Sequence, residues 1–159
     1  MFQGEEIRRL DEKSRVILPP KFRHFVGETD KVGYFLTVVP LMEETCIRLY
    51  TPSEWNQIAA ALKRLAPRSQ NPDGFARVVS SHSEFADLDA QNRILVSQRL
   101  IEYAKLEKKS DLVLVGCTNH IQMWNLAAWR RTVEEDRQAM KGLETFVRGI
   151  FGGYGGPPL

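Results

Sequence analysis

The chain repeats itself, and that repeat limits the fold more than any other feature of the sequence. Ile7 to Leu18 aligns with Phe85 to Val96, and both stretches read Leu-Asp-x-x-x-Arg followed by three aliphatic residues. Further on, Cys46 to Trp55 aligns with His120 to Trp129, in the same order and with an offset that differs by four residues. A loop insertion in the first half absorbs that difference, so the chain is an internal duplication. Its 159 residues suit one ordinary domain or two very small ones.

Each half begins with a polar extended stretch, turns at Asp-x-x-x-Arg and continues into Val16-Ile17-Leu18 or Ile94-Leu95-Val96, which reads as a β-hairpin. Pro19 to Phe25 reads as a short helix, with proline at its first turn. Two strands follow in each half, Tyr34 to Val39 and Thr45 to Tyr50, then Leu112 to Val115 and His120 to Trp124. A closing helix carries a Thr51-x-x-Glu54 capping box and an apolar stripe of Trp55, Ile58, Ala59, Leu62 and Leu65. Its counterpart is capped by Asn125, places Trp129, Val133 and Met140 on one side, and ends at Gly142. The expected organisation is a first repeat over 1–66, a connecting loop (Arg68 to Gly74) and short helix (Phe75 to Ser81) within 67–81, a second repeat over 82–142, and an end segment 143–159. From Gly149 that segment carries no charge and many glycines, and is expected to be flexible.

An apolar share of 43% and a charged share of 26% are enough to build a core, which excludes disorder for most of the chain. No run of 18 apolar residues occurs, and Met1 to Glu6 shows neither a basic nor an apolar leader region, so neither a membrane-spanning nor a secreted protein is expected. Cys46 and Cys117 stand far apart without partners at metal-ligand spacing, which fits a reducing cytoplasm and gives no metal site. With a net charge of +2, a preference for nucleic acid has to come from where the charges sit.

They sit together in one place. Lys13, Arg15, Lys21 and Arg23 follow one another with no acid between them, and a turn that presents Lys13 and Arg15 at its tip suits contact with phosphates or with guanine edges. The competing reading is a solvated tip in which Asp11 pairs with Arg15. The second copy keeps Arg93 and Arg99 but has Gln91 in place of Lys13, so its electrostatic case is weaker. Chemistry-bearing constellations are poor. Ser80 to Glu84 gathers hydroxyls, an imidazole and a carboxylate without the glycine pattern of a nucleophile elbow. His24 and His120 stand alone, no phosphate-binding glycine pattern occurs, and Trp55, Trp124 and Trp129 recur with the repeat as core residues do. No catalytic residue, cofactor or enzyme activity is expected.

Met1-Phe2-x-Gly4, Leu10-Asp11-x-Lys13-x-Arg15, Pro19-x-x-x-Arg23, Tyr50-x-x-x-Glu54-Trp55 and Leu88-Asp89-x-x-x-Arg93 together resemble the MraZ family of bacterial transcriptional regulators of the division and cell-wall gene cluster. The likeness runs to about Arg137. It implies a mainly β fold with helices (α+β), built of two tandem, pseudo-symmetric swapped-hairpin β-barrel halves of the type also found in the AbrB and MazE families. It also implies a cytoplasmic, nucleoid-associated protein that binds repeated double-stranded DNA sites upstream of its own operon as a ring-like homo-oligomer. The motif falls on Asp11 and Arg15, with Lys13, and again on Asp89 and Arg93. Where the family usually has glycine before the motif arginine, this chain has Ser14 and Asn92. Serine takes a left-handed conformation less readily than asparagine, so an altered first turn is expected. Ser97 and Ile101 stand where the family tends to have proline and arginine, which weakens the DNA reading of the second half. A MazE-type antidote, a protein-interaction module with a long wrapping tail, is the rival.

Overall fold

The computed structural model describes residues 1–39, 42–43 and 45–152. Within them the alternating and apolar runs form eight strands: β1 (Glu5–Arg9), β2 (Arg15–Ile17), β3 (Gly33–Thr37), β4 (Ile47–Tyr50), β5 (Ser83–Asp87), β6 (Arg93–Leu95), β7 (Asp111–Cys117) and β8 (His120–Asn125). Six of them make an antiparallel sheet in the order β1-β7-β8-β4-β3-β5, while β2 and β6 pair as a separate ribbon. Strands matched by the repeat are β1 with β5, β3 with β7 and β4 with β8, so the sheet order reads the same when the halves are exchanged. The architecture is α+β, mostly antiparallel sheet with helices.

The halves trade their leading strands. β1 pairs with β7 of the second half, Ile7 facing Val113, and β5 pairs with β3 of the first, Phe35 facing Phe85. This corrects the expectation of two local hairpins. Beyond the bond from the Asp11 amide to the Arg15 carbonyl (2.9 Å), the two arms of the first turn part and each finds its ladder in the other half. The exchange follows from burial: Val16 and Ile94, both fully buried, face each other in the ribbon over a core shared by Leu10, Leu18, Phe22, Leu36, Ile47 and Leu49 with Val96, Leu100, Leu112, Leu114, Ile121 and Met123. A single half would leave that face open to water. The sheet edges, β1 and β5, carry Glu5, Glu6, Arg8, Arg9, Glu84 and Asp87, charges that discourage further strand pairing.

Three local expectations change. Pro19 to Phe25 forms only a 3-10 turn, Pro20–Phe22. Its counterpart is a true helix, α3 (Gln98–Tyr103), because Ser97 supplies a cap to the Leu100 amide (3.5 Å) where the first half has Pro19. The connecting helix, α2 (Pro72–Ser81), starts earlier than its apolar residues suggest, since the Asn71 side chain accepts from the Gly74 amide (2.9 Å) and Pro72 takes the first position. The helix α1 (Pro52–Leu65) begins as read, with Thr51 accepting from the Glu54 amide (3.3 Å), yet none of its residues is fully buried. Trp55 is half-buried and stacks on Phe35 with ring centroids 5.2 Å apart. The α1 stripe and α2 instead face each other across an apolar groove of about 250 Å³ lined by Trp55, Ala59, Leu62, Phe75, Ala76 and Val79.

Among the described residues, those up to Leu126 form one compact unit and those from Ala127 a second. In the second, α4 (Leu126–Ala139) continues directly from β8, a 3-10 turn spans Met140–Leu143, and α5 (Glu144–Phe151) follows. Gly149, Ile150 and Phe151 thus belong to a helix and not to a loose tail, because Val147, Ile150 and Phe151 supply helical spacing that composition alone hides. The remainder of the expected tail, residues 153–159, lies outside the described residues.

Candidate nucleic-acid interface

The two Asp-x-x-x-Arg turns are built alike. In the first, Asp11 Oδ1 accepts from the Lys13 and Arg15 amides, each at 2.9 Å, and Oδ2 accepts from Arg15 Nε at 2.8 Å. In the second, Asp89 Oδ1 accepts from the Gln91 and Arg93 amides at 2.9 Å, and Oδ2 from Arg93 Nε at 2.8 Å. The Asp11 carboxyl is held below the usual carboxylate range, chiefly by the Arg15 amide and then by its guanidinium and the Lys13 amide, against the opposing effect of burial. For Asp89 burial is the largest influence and works against ionisation, but the Arg93 amide and guanidinium and the Gln91 amide outweigh it. The aspartate is therefore a turn-former, and the Asp11–Arg15 pair of the competing reading is present.

The left-handed position has a structural reason. Ser14 and Asn92 adopt φ of 62° and 60°, and their carbonyls accept from the Val96 and Leu18 amides of the opposite half, both at 2.9 Å. Each turn thereby lengthens the β2–β6 ribbon by one bond. The expected distortion of the first turn does not occur: serine takes the same conformation as asparagine because the surrounding hydrogen bonds over-determine it.

The ribbon brings the two motif arginines to one face. In its register Arg15 faces Leu95 and Ile17 faces Arg93, so these four side chains share the side away from the buried Val16 and Ile94. Ile17 and Leu95 are more than half exposed. With Nε given to Asp11, Arg15 keeps its terminal Nη groups without a partner among the described residues. Arg93 spends one of them on Gln91 Oε1 (3.1 Å). Lys13 is exposed at the tip, and the neighbouring Glu12 is paired with Lys109 Nζ at 2.8 Å, which offsets the nearest negative charge.

The other predicted residues lie elsewhere. Lys21 folds back on β1, with Nζ 3.0 Å from both the Glu5 carbonyl and Glu6 Oε1, and sits over the Phe22 ring. Gly4 of the amino-terminal motif adopts φ 82°, a left-handed conformation that favours glycine, and this accounts for it; a Cβ there would meet only the movable end of Lys21. Arg23 Nε donates to the Leu18 carbonyl (3.1 Å) beside a cavity, and Arg99 binds the Ser81 carbonyl at the end of α2. Sequence reasoning overlooked Ile17 and Leu95, although period-2 alternation about Val16 and Ile94 places them beside the arginines.

Ser81 and His82 form no nucleophile–base pair. His82 Nδ1 lies 2.6 Å from the Val78 carbonyl and must donate there, so it cannot accept a proton from Ser81 Oγ at 3.1 Å. Among the described residues no group of three or more His, Cys, Asp or Glu side chains could hold a metal, and no helix is long and apolar enough to cross a membrane.

Residues 1–77 and 80–147 match the family described as “MraZ protein, putative antitoxin-like”. A protein of Pediococcus pentosaceus named Transcriptional regulator MraZ is 33% identical over 138 residues, covering 87% of this chain and 90% of that protein. Proteins of the same name from Legionella pneumophila (33% over 135 residues, 85% of this chain and 86% of theirs) and Clostridium acetobutylicum (34% over 129 residues, 81% and 84%) are similar to it as well. With both repeats inside the match and both signature turns formed, this chain belongs to the MraZ family.

Proposed function

We propose that this protein is a sequence-specific, double-stranded-DNA-binding transcriptional regulator without enzyme activity. It acts in the cytoplasm, associated with the nucleoid, and binds repeated sites upstream of its own operon in the division and cell-wall gene cluster. The observation that carries this reading is the ribbon face: two guanidiniums of one polarity, Arg15 and Arg93, held on a rigid two-stranded element next to the free Lys13. A β-ribbon of this width fits a DNA groove, and its arginines are pre-set by their aspartates. The names of the matched relatives support the regulatory role.

Lys13, Arg15 and Arg93 are the proposed contacts, with Arg23 at the margin; Lys21 and Arg99 contribute charge from positions already committed to internal bonds. One chain offers few phosphate contacts, so several subunits, arranged as a closed ring, are needed on one stretch of DNA for useful affinity. The family description favours one second reading, an antidote that occupies a toxin partner.

Fluorescence anisotropy with a duplex carrying the DNA upstream of the gene, set against a shuffled duplex, tests the proposal. Wild type is expected to prefer the upstream duplex, and Arg15→Ala to lose about 1–3 kcal/mol per engaged site. Equal binding of both duplexes, unchanged in Arg15→Ala, would overturn it and leave the antidote reading.

A further inference from the structure

A cavity of about 360 Å³ opens beside the second turn, lined by Pro20, Arg23, His24, Val26, Lys31, Tyr34, Leu88 and Asn92. Its walls hold Arg23, Lys31 and His24, and no carboxylate. Tyr34, on β3, is 1% exposed, lines this cavity, and has a hydroxyl with no partner among the described residues. No fully buried side-chain polar atom among the described residues lacks a partner, so this hydroxyl is reached by the solvent of the cavity and is open to an occupant. Arg23 gives Nε to the Leu18 carbonyl and keeps its Nη groups uncommitted among the described residues, while Lys31 is paired with Glu28 at the mouth.

The repeat provides an internal control. In the second half the matching positions are Ile101 for Arg23, Ala104 for Val26 and Leu112 for Tyr34, all buried and apolar. The fold can thus close this place with hydrocarbon, and in the first half it places a guanidinium, a phenol and an open volume there instead. Burial pushes the Tyr34 phenol up to about 12, with Arg23 pulling the other way and Asp30 adding to the rise, so the hydroxyl remains a proton donor at neutral pH.

We propose that this cavity binds the phosphate group of a small phosphorylated molecule, with the Arg23 guanidinium and the Tyr34 hydroxyl as its anchors. Arg23 supplies two parallel N–H donors to phosphate oxygens, Tyr34 a third from the floor, and Lys31 favourable charge at the rim. Asn92 belongs to the left-handed residue pair of the ribbon, so an occupant would sit against the base of the second turn. The inference does not depend on DNA binding.

Isothermal titration of the full chain with inorganic phosphate and with glycerol phosphate, using glycerol and acetate as controls, tests it. Both phosphates are expected to bind saturably with Kd on the order of 1 mM or tighter, the controls not at all. Tyr34→Phe, which keeps the ring and therefore the packing, is expected to weaken binding about tenfold, and Arg23→Gln at least as much. Circular dichroism confirms that both variants fold. Absence of saturation, equal binding of acetate, or unchanged affinity in Tyr34→Phe would overturn the proposal. So would displacement of phosphate by the upstream duplex, which would assign the cavity to the DNA backbone.

Discussion

At φ near +60° an L-residue side chain costs roughly 1–2 kcal/mol, and Ser14 bears that cost with no side-chain hydrogen bond among the described residues to offset it. Glycine removes the clash and gives back part of the gain as chain entropy. Ser14→Gly is therefore expected to raise stability by about 0.5–1 kcal/mol, and Asn92→Gly by less, since asparagine tolerates this region better. Urea unfolding of the two variants beside wild type checks this; a destabilised Ser14→Gly would mean that the serine does more than occupy the turn. The motif arginines differ in the same direction. Arg93 has one Nη bound to Gln91, and Gln91 replaces the free Lys13, so Arg93→Ala is expected to weaken operator binding less than Arg15→Ala. Equal losses in paired titrations would show that the second tip docks as well as the first. Because both arginines also bond their aspartates, each variant needs its melting temperature measured alongside its affinity.

Among the elements, β8 carries a polar chain along its half-buried side. Trp124 Nε1 donates to Gln122 Oε1 (2.9 Å), Gln122 Nε2 faces His120 Nε2 (3.1 Å), and His120 Nδ1 faces Asn119 Oδ1 (2.9 Å), an arrangement satisfied by a neutral imidazole protonated on Nδ1. Burial and then Arg48 bring His120 from 6.5 down to about 4. Between these values the unfolded chain takes up a proton that the folded one refuses, so the contribution is full above pH 6.5 and is lost as pH falls through about 4. Discounted for partial exposure, it amounts to about 1–2 kcal/mol. Urea unfolding of wild type and His120→Gln at pH 7 and pH 4 is expected to show a gap that narrows at the lower value; a constant gap would mean that His120 does not titrate across folding. Local signals announced most of these elements. The capped start of α1, the alternation of β4 and β8 and the two turns were legible because their causes lie within a few residues. The pairing of β1 with β7 was not, since strands over a hundred residues apart leave no local period. Neither was the cavity at Tyr34, whose lining joins a strand, a 3-10 turn and two residues of the other half, Leu88 and Asn92. The cap at Asn71 before Pro72 was readable, and only the lack of apolar residues in that first turn concealed it.

For the whole molecule, exchange of β1 and β5 makes the two halves mutually dependent. A fragment of residues 1–66 lacks the partners of β1, of β2 and of the outer edge of β3, and exposes Val16, Leu18 and Leu36. It is expected to be unfolded or to pair with a second copy of itself, and circular dichroism with light scattering distinguishes these from the outcome that would refute the dependence, a folded monomer. Light scattering of the full chain at micromolar concentration is likewise expected to give a multiple of 18.2 kDa, and a monomer alone would rule out the proposed ring. The same exchange also acts on a timetable. Arg9 and its partner Asp111 are 102 positions apart, so at about 5–20 residues per second a ribosome needs roughly 5–20 s to deliver the strand that β1 is waiting for. Throughout that interval the nascent chain presents its charged leading strand unpaired to any neighbouring copy on the same message. The first partner within reach of a growing chain is then its twin on the next ribosome, so closure within one chain competes with exchange between two until the second half emerges.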